Sequence, residues 1–280
     1  MKIKLKLVLL FLGVSLIPFI LVSIIYINGS KNMLKESINT SFERVAKEKA
    51  NSIDSIITNR VAEVELLAET PEIKDLIKES NSSYEGRNTK EVMNEIIAID
   101  ESWIKSKETN EDANRILNNE VSILLKEYKN RNSEKYGEIF VSDKNGAAVA
   151  MTKTLSDYYQ ADEQWWGNAF NDGEGEVFID DRGFDSSVGA LVIGVVVPVK
   201  ESGKVIGVLK INYKIKEIIN IIGEPLGETD FIILARSQGD IIASSLGAEN
   251  IEKLELEQSI KSLEKNLAIE STRMKKGSIL

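Results

Sequence analysis

The sequence predicts an α+β fold that follows an apolar amino-terminal segment. Three observations lead to this prediction: an uncharged apolar run over residues 7–27, a helical pattern over 28–70, and strand-like apolar runs after Tyr136. Helices that come first and strands that come afterwards are typical of α+β proteins. With 280 residues, the chain is long enough for one or two domains with a sizeable core.

The composition argues against several classes of function. The net charge of −9 argues against nucleic-acid binding, because phosphates require a basic face. The chain contains no Cys and no His, which removes Ser-His-Asp and Cys-His catalysis and most zinc sites. A hydrolase using paired carboxylates stays open, but no spacing singles out an acid–base pair. We therefore expect no enzyme, no cofactor and no metal site.

The apolar run over residues 7–27 predicts a transmembrane helix. It is long enough to cross a hydrocarbon layer of about 30 Å, and no A-x-A-like cleavage site follows it. These features favour an uncleaved anchor over a signal peptide. Three lysines within residues 1–6 predict a cytoplasmic tail, so we expect everything after Asn28 to lie outside the cell membrane.

Residues 28–70 predict one long stalk helix. Neither Pro nor Gly occurs between Ser30 and Thr70, and apolar residues recur at three- and four-residue steps, including Ile38, Phe42, Val45, Ile53, Ile57, Val64 and Leu67. A stripe of this length fits pairing with a second copy as a coiled coil, and we expect a homodimer. The alternative is that the stripe packs along its own domain.

Helical patterns continue to residue 135, and strands follow. After a polar break at 81–88, apolar spacing predicts two further helices, around Met93–Ile99 and Ile116–Tyr128. Five strands are then predicted, at Glu138–Ser142, Ala147–Met151, Glu176–Asp180, Ala190–Val199 and Lys204–Tyr213. The near-continuous apolar runs are typical of central strands covered on both faces.

The segment Asp157–Trp166 has the highest aromatic density of the chain. It holds two tyrosines and two of the three tryptophans, among carboxylates and an amide. Broad apolar walls with a few polar groups are typical of small-molecule pockets. The alternative is that the tryptophans only anchor this loop on the sheet.

The order of hairpin, aromatic segment and apolar strands resembles the double-Cache, PAS-like extracytoplasmic sensor domains of prokaryotic chemoreceptors and sensor kinases. The resemblance implies a membrane-distal lobe at 71–213, a linker at 214–228 and a membrane-proximal lobe at 229–280. A short repeat, Ile139–Gly146 and Ile232–Gly239, fits two such lobes. The residues after Gly239 are too few to close a second sheet, so we expect the chain to be a fragment.

The resemblance also implies a ligand site in the distal lobe. The positions that match it are Asp157, Tyr158, Trp165 and Trp166 on the loop, Phe178 and Asp180 on one strand, and Asn212 on the closing strand. The amino-acid-binding subset of the family carries an Arg where this chain has Glu163, and an Asp where it has Asn212. An α-amino-acid ligand is therefore disfavoured, and the acids and rings suit an amine or other cation. Asp180–Asp185 lacks calcium-loop spacing, and we expect a solvated turn there.

The resemblance implies a membrane-anchored sensor that binds a small molecule outside the membrane. Its output would pass to a cytoplasmic kinase, methyl-accepting or cyclic-dinucleotide domain absent from this chain. The alternative is a structural or adhesive surface protein that binds no ligand.

Overall fold

A computed structural model describes residues 3–106, 109–223, 232–235 and 241–245. The chain divides into two compact units, Met1–Asn51 and Ser52–Leu280. Helix α1, Ile3–Ala68, supplies the described part of the first unit and also opens the second. It therefore includes both the predicted membrane segment and the predicted stalk. The helix ends shortly before Pro71, whose ring and missing N–H do not allow it to continue.

Four shorter helices follow in the second unit. They are α2 (Pro71–Ser82), α3 (Thr89–Ser106), α4 (Glu111–Leu117) and α5 (Glu120–Asn130). The sequence predicted only two helices after the polar break, and this is wrong because the second of them is divided into α4 and α5. Asn119 causes the division: its side chain accepts the backbone N–H of Ser122 at 2.8 Å and so begins a new helix.

The five predicted strands form one antiparallel sheet. They are β1 (Tyr136–Asp143), β2 (Ala148–Met151), β3 (Phe178–Asp185), β4 (Ala190–Glu201) and β5 (Lys204–Lys214), in the order β2-β1-β5-β4-β3. Strand β3 extends past its predicted end at Asp180. The expected solvated turn at 180–185 is therefore wrong, because this stretch pairs with β4 through a bulge between Asp180 and Gly183.

Helices cover the sheet on both faces, which explains the apolar runs of its central strands. On one face, the end of α1 packs with α2 and α5, through buried residues such as Val64, Ile73 and Leu125. On the other face, α3 and α4 pack with α6 (Gln164–Phe170), through residues such as Trp103, Ile116 and Trp165. Strand β5 lies in the centre of the sheet and is buried along most of its length.

The predicted linker contains helix α7, Lys216–Ile222, which packs on Ile53, Ile57 and Ile193. Beyond it, β6 (Ile233–Ala235) pairs antiparallel with β7 (Ile241–Ser244). The rest of the predicted proximal lobe, including residues 246–280, lies outside the described residues.

Strands β1 and β5 approach each other closely at Gly207. A Cβ at this position would lie 2.3 Å from the backbone oxygen of Ser142, which cannot move without disturbing the sheet. We expect Gly207→Ala to lower the free energy of unfolding by about 1–3 kcal/mol, measured by denaturant unfolding of the full chain in detergent. Gly167→Ala in α6 is the matched control, since nothing lies within 4 Å of its added Cβ. Equal stability of the two variants would contradict the close approach.

Candidate ligand-binding site

A row of polar residues crosses one face of the sheet. Glu138 of β1 lies opposite Asn212 of β5, Asn212 lies opposite Gly194 of β4, and Gly194 lies opposite Asp180 of β3. Residues directly opposite one another share a face. The next row on this face consists of Phe140, Lys210, Val196 and Phe178. The strand register therefore brings together charges that are far apart in the sequence.

Gly194 keeps the middle of this row open. A Cβ there would lie 2.9 Å from Lys210 Cε and 3.0 Å from both Asn212 Oδ1 and Asp180 Cβ. Real Cβ contacts at such distances are rare, so any larger residue would push the polar side chains apart. The missing side chain leaves a depression between β3 and β5.

The aromatic segment covers this depression, and α3 and the β1–β2 hairpin hold it in place. Asp100 Oδ1 accepts the backbone N–H groups of Tyr158 and Tyr159 at 2.7 and 3.0 Å. Trp103 Nε1 donates to the carbonyl of Leu155 at 3.0 Å, and Gln160 N donates to Gly146 O at 2.8 Å. The loop is therefore fixed at several points along its length.

A cavity of about 290 Å³ lies between the polar row and this loop. Four of the seven predicted site residues line it: Asp157, Trp165, Asp180 and Asn212. The other three, Tyr158, Trp166 and Phe178, belong to the apolar cluster beside it. Glu138, Asp185 and Lys210 also line the cavity, and the sequence analysis did not single them out.

The two adjacent tryptophans have different surroundings. Trp165 lines the cavity, and its ring forms a T-shaped pair with the ring of Phe140, with centroids 5.6 Å apart. Trp166 Nε1 donates to Ser142 Oγ at 2.8 Å, and its ring stacks on Phe170. Since successive residues of a short helix point in different directions, one ring reaches the cavity and the other anchors α6 on the sheet.

A buried ion pair lies in the floor of the cavity. Lys210 Nζ donates to Asp180 Oδ2 at 2.6 Å, and the two side chains are only 4% and 8% exposed. The same ammonium group lies 4.1 Å from the centroid of the Trp165 ring. Lys210 thus supplies from within the protein the cation that an aromatic ring attracts. Lys210 is the one charged residue within the run Val205–Tyr213, and this was the sequence signal for the buried pair.

Asp185, at the end of β3, is held by several donors. It accepts Asn212 Nδ2 at 3.0 Å, Ser187 Oγ at 2.7 Å and the backbone N–H groups of Ser187 and Val188 at 2.8 and 3.2 Å. Burial acts to raise its pKa, but these hydrogen bonds outweigh burial and hold the pKa below the usual range. Asp185 therefore lines the cavity as an ionised carboxylate.

Glu138 has the opposite electrostatic setting. It is 5% exposed, and burial, followed by the nearby charge of Asp185, raises the pKa of its carboxyl to about 7. Charged groups face it from several elements: Asp185 of β3, Lys210 of β5, Lys129 of α5 and Lys153 beyond β2. The lysines only partly offset the effect of burial.

A second cavity, of about 470 Å³, lies on the opposite face of the sheet beside α1 and α7. Four of its charged side chains pair with one another: Arg60 with Glu217 at 2.6 Å and Lys216 with Glu134 at 3.1 Å. It contains none of the predicted site residues. The cavity beneath the aromatic segment is therefore the better candidate for a ligand.

The family model of the Cache domain matches residues 30–279. The chain belongs to the Cache domain family. The resemblance inferred from the hairpin, the aromatic segment and the apolar strands is thereby confirmed, as is the α+β fold. No curated protein matches the chain.

Solved structures with a similar fold are sensor domains. The sensor domain of the V. cholerae histidine kinase DctB is 10% identical, with 75% of this chain and 67% of that chain covered and a TM-score of 0.51. The ligand-binding domain of the Campylobacter jejuni chemoreceptor Tlp3, in complex with L-norvaline, is 16% identical over 70% and 77% of the chains, with a TM-score of 0.43. That of the Pseudomonas aeruginosa amino acid chemoreceptor PctC, in complex with GABA, is 14% identical over 61% and 71%, with a TM-score of 0.37.

The raised pKa of Glu138 predicts a slope in stability with pH. Between its ordinary value of 4.5 and about 7, the folded Cache lobe keeps a proton that the unfolded chain has lost. Stability therefore falls as the pH rises through this window and levels off above it, at a total cost of about 3 kcal/mol. The Glu138→Gln variant lacks this carboxyl. In urea unfolding at a series of pH values, its free energy of unfolding should therefore rise relative to that of the unsubstituted protein over this window. A stability difference that does not change with pH would contradict burial of Glu138.

Proposed function

We propose that this chain is a membrane-anchored sensor that binds a small molecule in the cavity beneath the aromatic segment and passes a signal across the membrane. The observation that carries the proposal is that cavity itself: a buried polar row, covered by a fixed loop, within a Cache lobe. Small-molecule sites combine concave apolar walls with a few placed polar groups. The output domain would be a cytoplasmic partner of the kinase, methyl-accepting or cyclic-dinucleotide type.

The apolar start of α1 supports anchoring. Its most apolar window has a mean hydropathy of 2.6, carries at most two charges and has no buried residue. Lys4 and Lys6 precede the run, so the rest of the chain would lie on the outer side of the membrane. Further along α1, Met33, Leu34, Ile38 and Phe42 are exposed. These side chains would form the contact between two copies in a homodimer.

The hydrogen bonds of Glu63 support a route by which a signal would pass from the sheet to α1. Its carboxylate accepts Tyr128 Oη at 2.7 Å, Lys135 Nζ at 2.6 Å and the hydroxyl of Tyr136. Burial acts to raise its pKa, but these donors together lower it, so Glu63 is a charged acceptor. Tyr136 is the first residue of β1, and the contact therefore ties that strand to the helix.

A bulge in β1 connects this contact to the cavity. Tyr136 pairs with Tyr213 and Glu138 pairs with Asn212, so one extra residue, Gly137, lies between them. Because Tyr213 and Asn212 are adjacent and point to opposite faces, the bulge directs Tyr136 towards α1 and Glu138 towards the cavity. A ligand that moves β1 at Glu138 would change the position of Tyr136 against Glu63.

The anchor is tested by fractionation. We expect the expressed protein to stay with membranes after a carbonate wash, with Met1 or Lys2 still at its amino terminus. Placing charges in the run by Leu16→Arg with Ile20→Arg should release much of it, because each arginine at the centre of a membrane helix costs about 3 kcal/mol. A soluble mature form that begins near Asn28 would show instead that the segment is a signal peptide.

Ligand binding is tested by a thermal-shift screen of the full chain in detergent against small metabolites. A specific ligand at about 100 times its Kd should stabilise the protein by about 2.7 kcal/mol. Trp165→Ala and Asp180→Ala should weaken its binding, with the loss of the Trp165 ring worth about 1 kcal/mol or more. Trp166→Phe is the matched control: it keeps the stack on Phe170, loses the bond to Ser142, and should reduce stability but not affinity.

Either of two results would count against this site. One is a screen in which no metabolite stabilises the protein, which would favour a structural or adhesive surface protein. The other is a ligand whose affinity is the same for folded Trp165→Ala, Asp180→Ala and the unsubstituted chain.

A further inference from the structure

Glu138 carries an unsatisfied polar atom beside the cavity. The residue is 5% exposed and lines the cavity, and its Oε1 atom is buried with no hydrogen-bond partner among the residues that the structure describes. The other oxygen, Oε2, lies 3.3 Å from Ser187 Oγ. A buried polar atom without a partner costs the full free energy of its lost hydration.

Ser187 gives Glu138 little compensation. Its hydroxyl has one proton to donate, and Asp185 Oδ1 lies nearer to its oxygen, at 2.7 Å. Asp185 is the stronger acceptor because its pKa is held low by the surrounding donors. The hydroxyl proton therefore points to Asp185, and Glu138 is left as the carboxyl with spare accepting capacity.

The described side chains around the cavity carry unbalanced charges. Among the lining side chains that the structure describes, five carry carboxyl groups and Lys210 is the cation. Lys210 is already engaged by Asp180 and by the Trp165 ring. A second positive charge entering the cavity would meet an environment of net negative charge.

We infer that the ligand is a small organic amine whose protonated nitrogen turns the Glu138 carboxyl towards the cavity and donates to its Oε1 atom, which makes Glu138 the specificity-determining residue. This assignment rests on the proposed ligand-binding function and names its chemical class. An ammonium group with N–H bonds supplies a donor for Oε1 and a second positive charge, neither of which the described lining residues provide. The resulting hydrogen bond is charge-assisted, the stronger kind.

The cavity also limits the size of the amine. At about 290 Å³ it holds about ten water molecules, and hence a ligand with about that number of non-hydrogen atoms. Part of its wall is apolar, formed by Phe140, Leu155, Trp165 and Val192. The best ligand therefore joins an ammonium group to a short apolar chain. A quaternary ammonium has no N–H and leaves Oε1 unsatisfied.

The test is isothermal titration calorimetry on the full chain in detergent at about pH 8, where Glu138 is mostly ionised. The probes are n-butylamine, with tetramethylammonium, 1-butanol and butyrate as matched compounds that lack the N–H, the charge or the positive sign. We expect n-butylamine to bind, and each of the other three to bind about tenfold more weakly or not at all.

Substitutions then locate the interaction. Glu138→Gln keeps the size of the side chain and removes its charge, and it should weaken n-butylamine binding about tenfold or more. Glu79→Gln removes the same charge from an exposed position on α2, and its affinity should stay within about twofold. Circular dichroism of both variants checks that the fold is kept, and Asp185→Asn provides a second change beside Glu138 if Glu138→Gln fails to fold.

The possible outcomes separate this inference from the proposed function. Equal binding of n-butylamine to folded Glu138→Gln, or tighter binding of butyrate or tetramethylammonium, would overturn the amine assignment. If such a competing ligand still depends on Trp165, the sensor function stands and only the ligand class is wrong. Failure of every probe overturns the amine assignment, and the metabolite screen then decides whether the cavity binds anything.

Discussion

The ion pair between Lys210 and Asp180 is the constraint on which the polar face of the sheet depends. Removing two charges from water costs several kcal/mol per ion, so the pair persists only with good geometry and further partners. A distance of 2.6 Å and the ring of Trp165 provide both. The geometry in turn requires β3 and β5 to flank β4 in one register, with no side chain at Gly194 between them. The cavity is the space that this arrangement leaves beneath the aromatic loop.

The sequence predicted those parts of the fold that depend on local pattern. Apolar runs and three- and four-residue spacing were enough to identify α1 and all five strands of the sheet. The same reasoning failed at Asp180–Asp185, because a cluster of charges looks solvated unless the buried partner, 30 residues away along the chain, is known. Glu138 and Lys210 were missed for the same reason. Trp165 and Trp166 are adjacent in the aromatic segment, and only the packing of α6 shows which of them lines the cavity.

The bulge at Gly137 gives β1 two roles. On one side of it, Tyr136 packs with Tyr213 and donates to Glu63 on α1, with Lys135 beside it. On the other side, Glu138 faces the cavity. Bulges often redirect side chains next to functional sites. Here, the redirection places the proposed ligand contact and a helix contact within three residues of one strand, so a small displacement would reach both. A packed sheet transmits such a displacement because its interior deforms little.

The electrostatics of Glu138 would supply the free energy that such a displacement needs. A ligand shifts an equilibrium between two conformations only by the difference in its binding free energy to them. The buried carboxyl is costly to ionise, as its pKa near 7 indicates. The proposed amine would remove that cost only in a conformation that brings Oε1 to its N–H, and it would gain nothing from a conformation in which Glu138 turns away. The cost of burying Glu138 would thereby become a preference of the amine-bound lobe for one position of β1, and through Tyr136 and Glu63 for one position of α1.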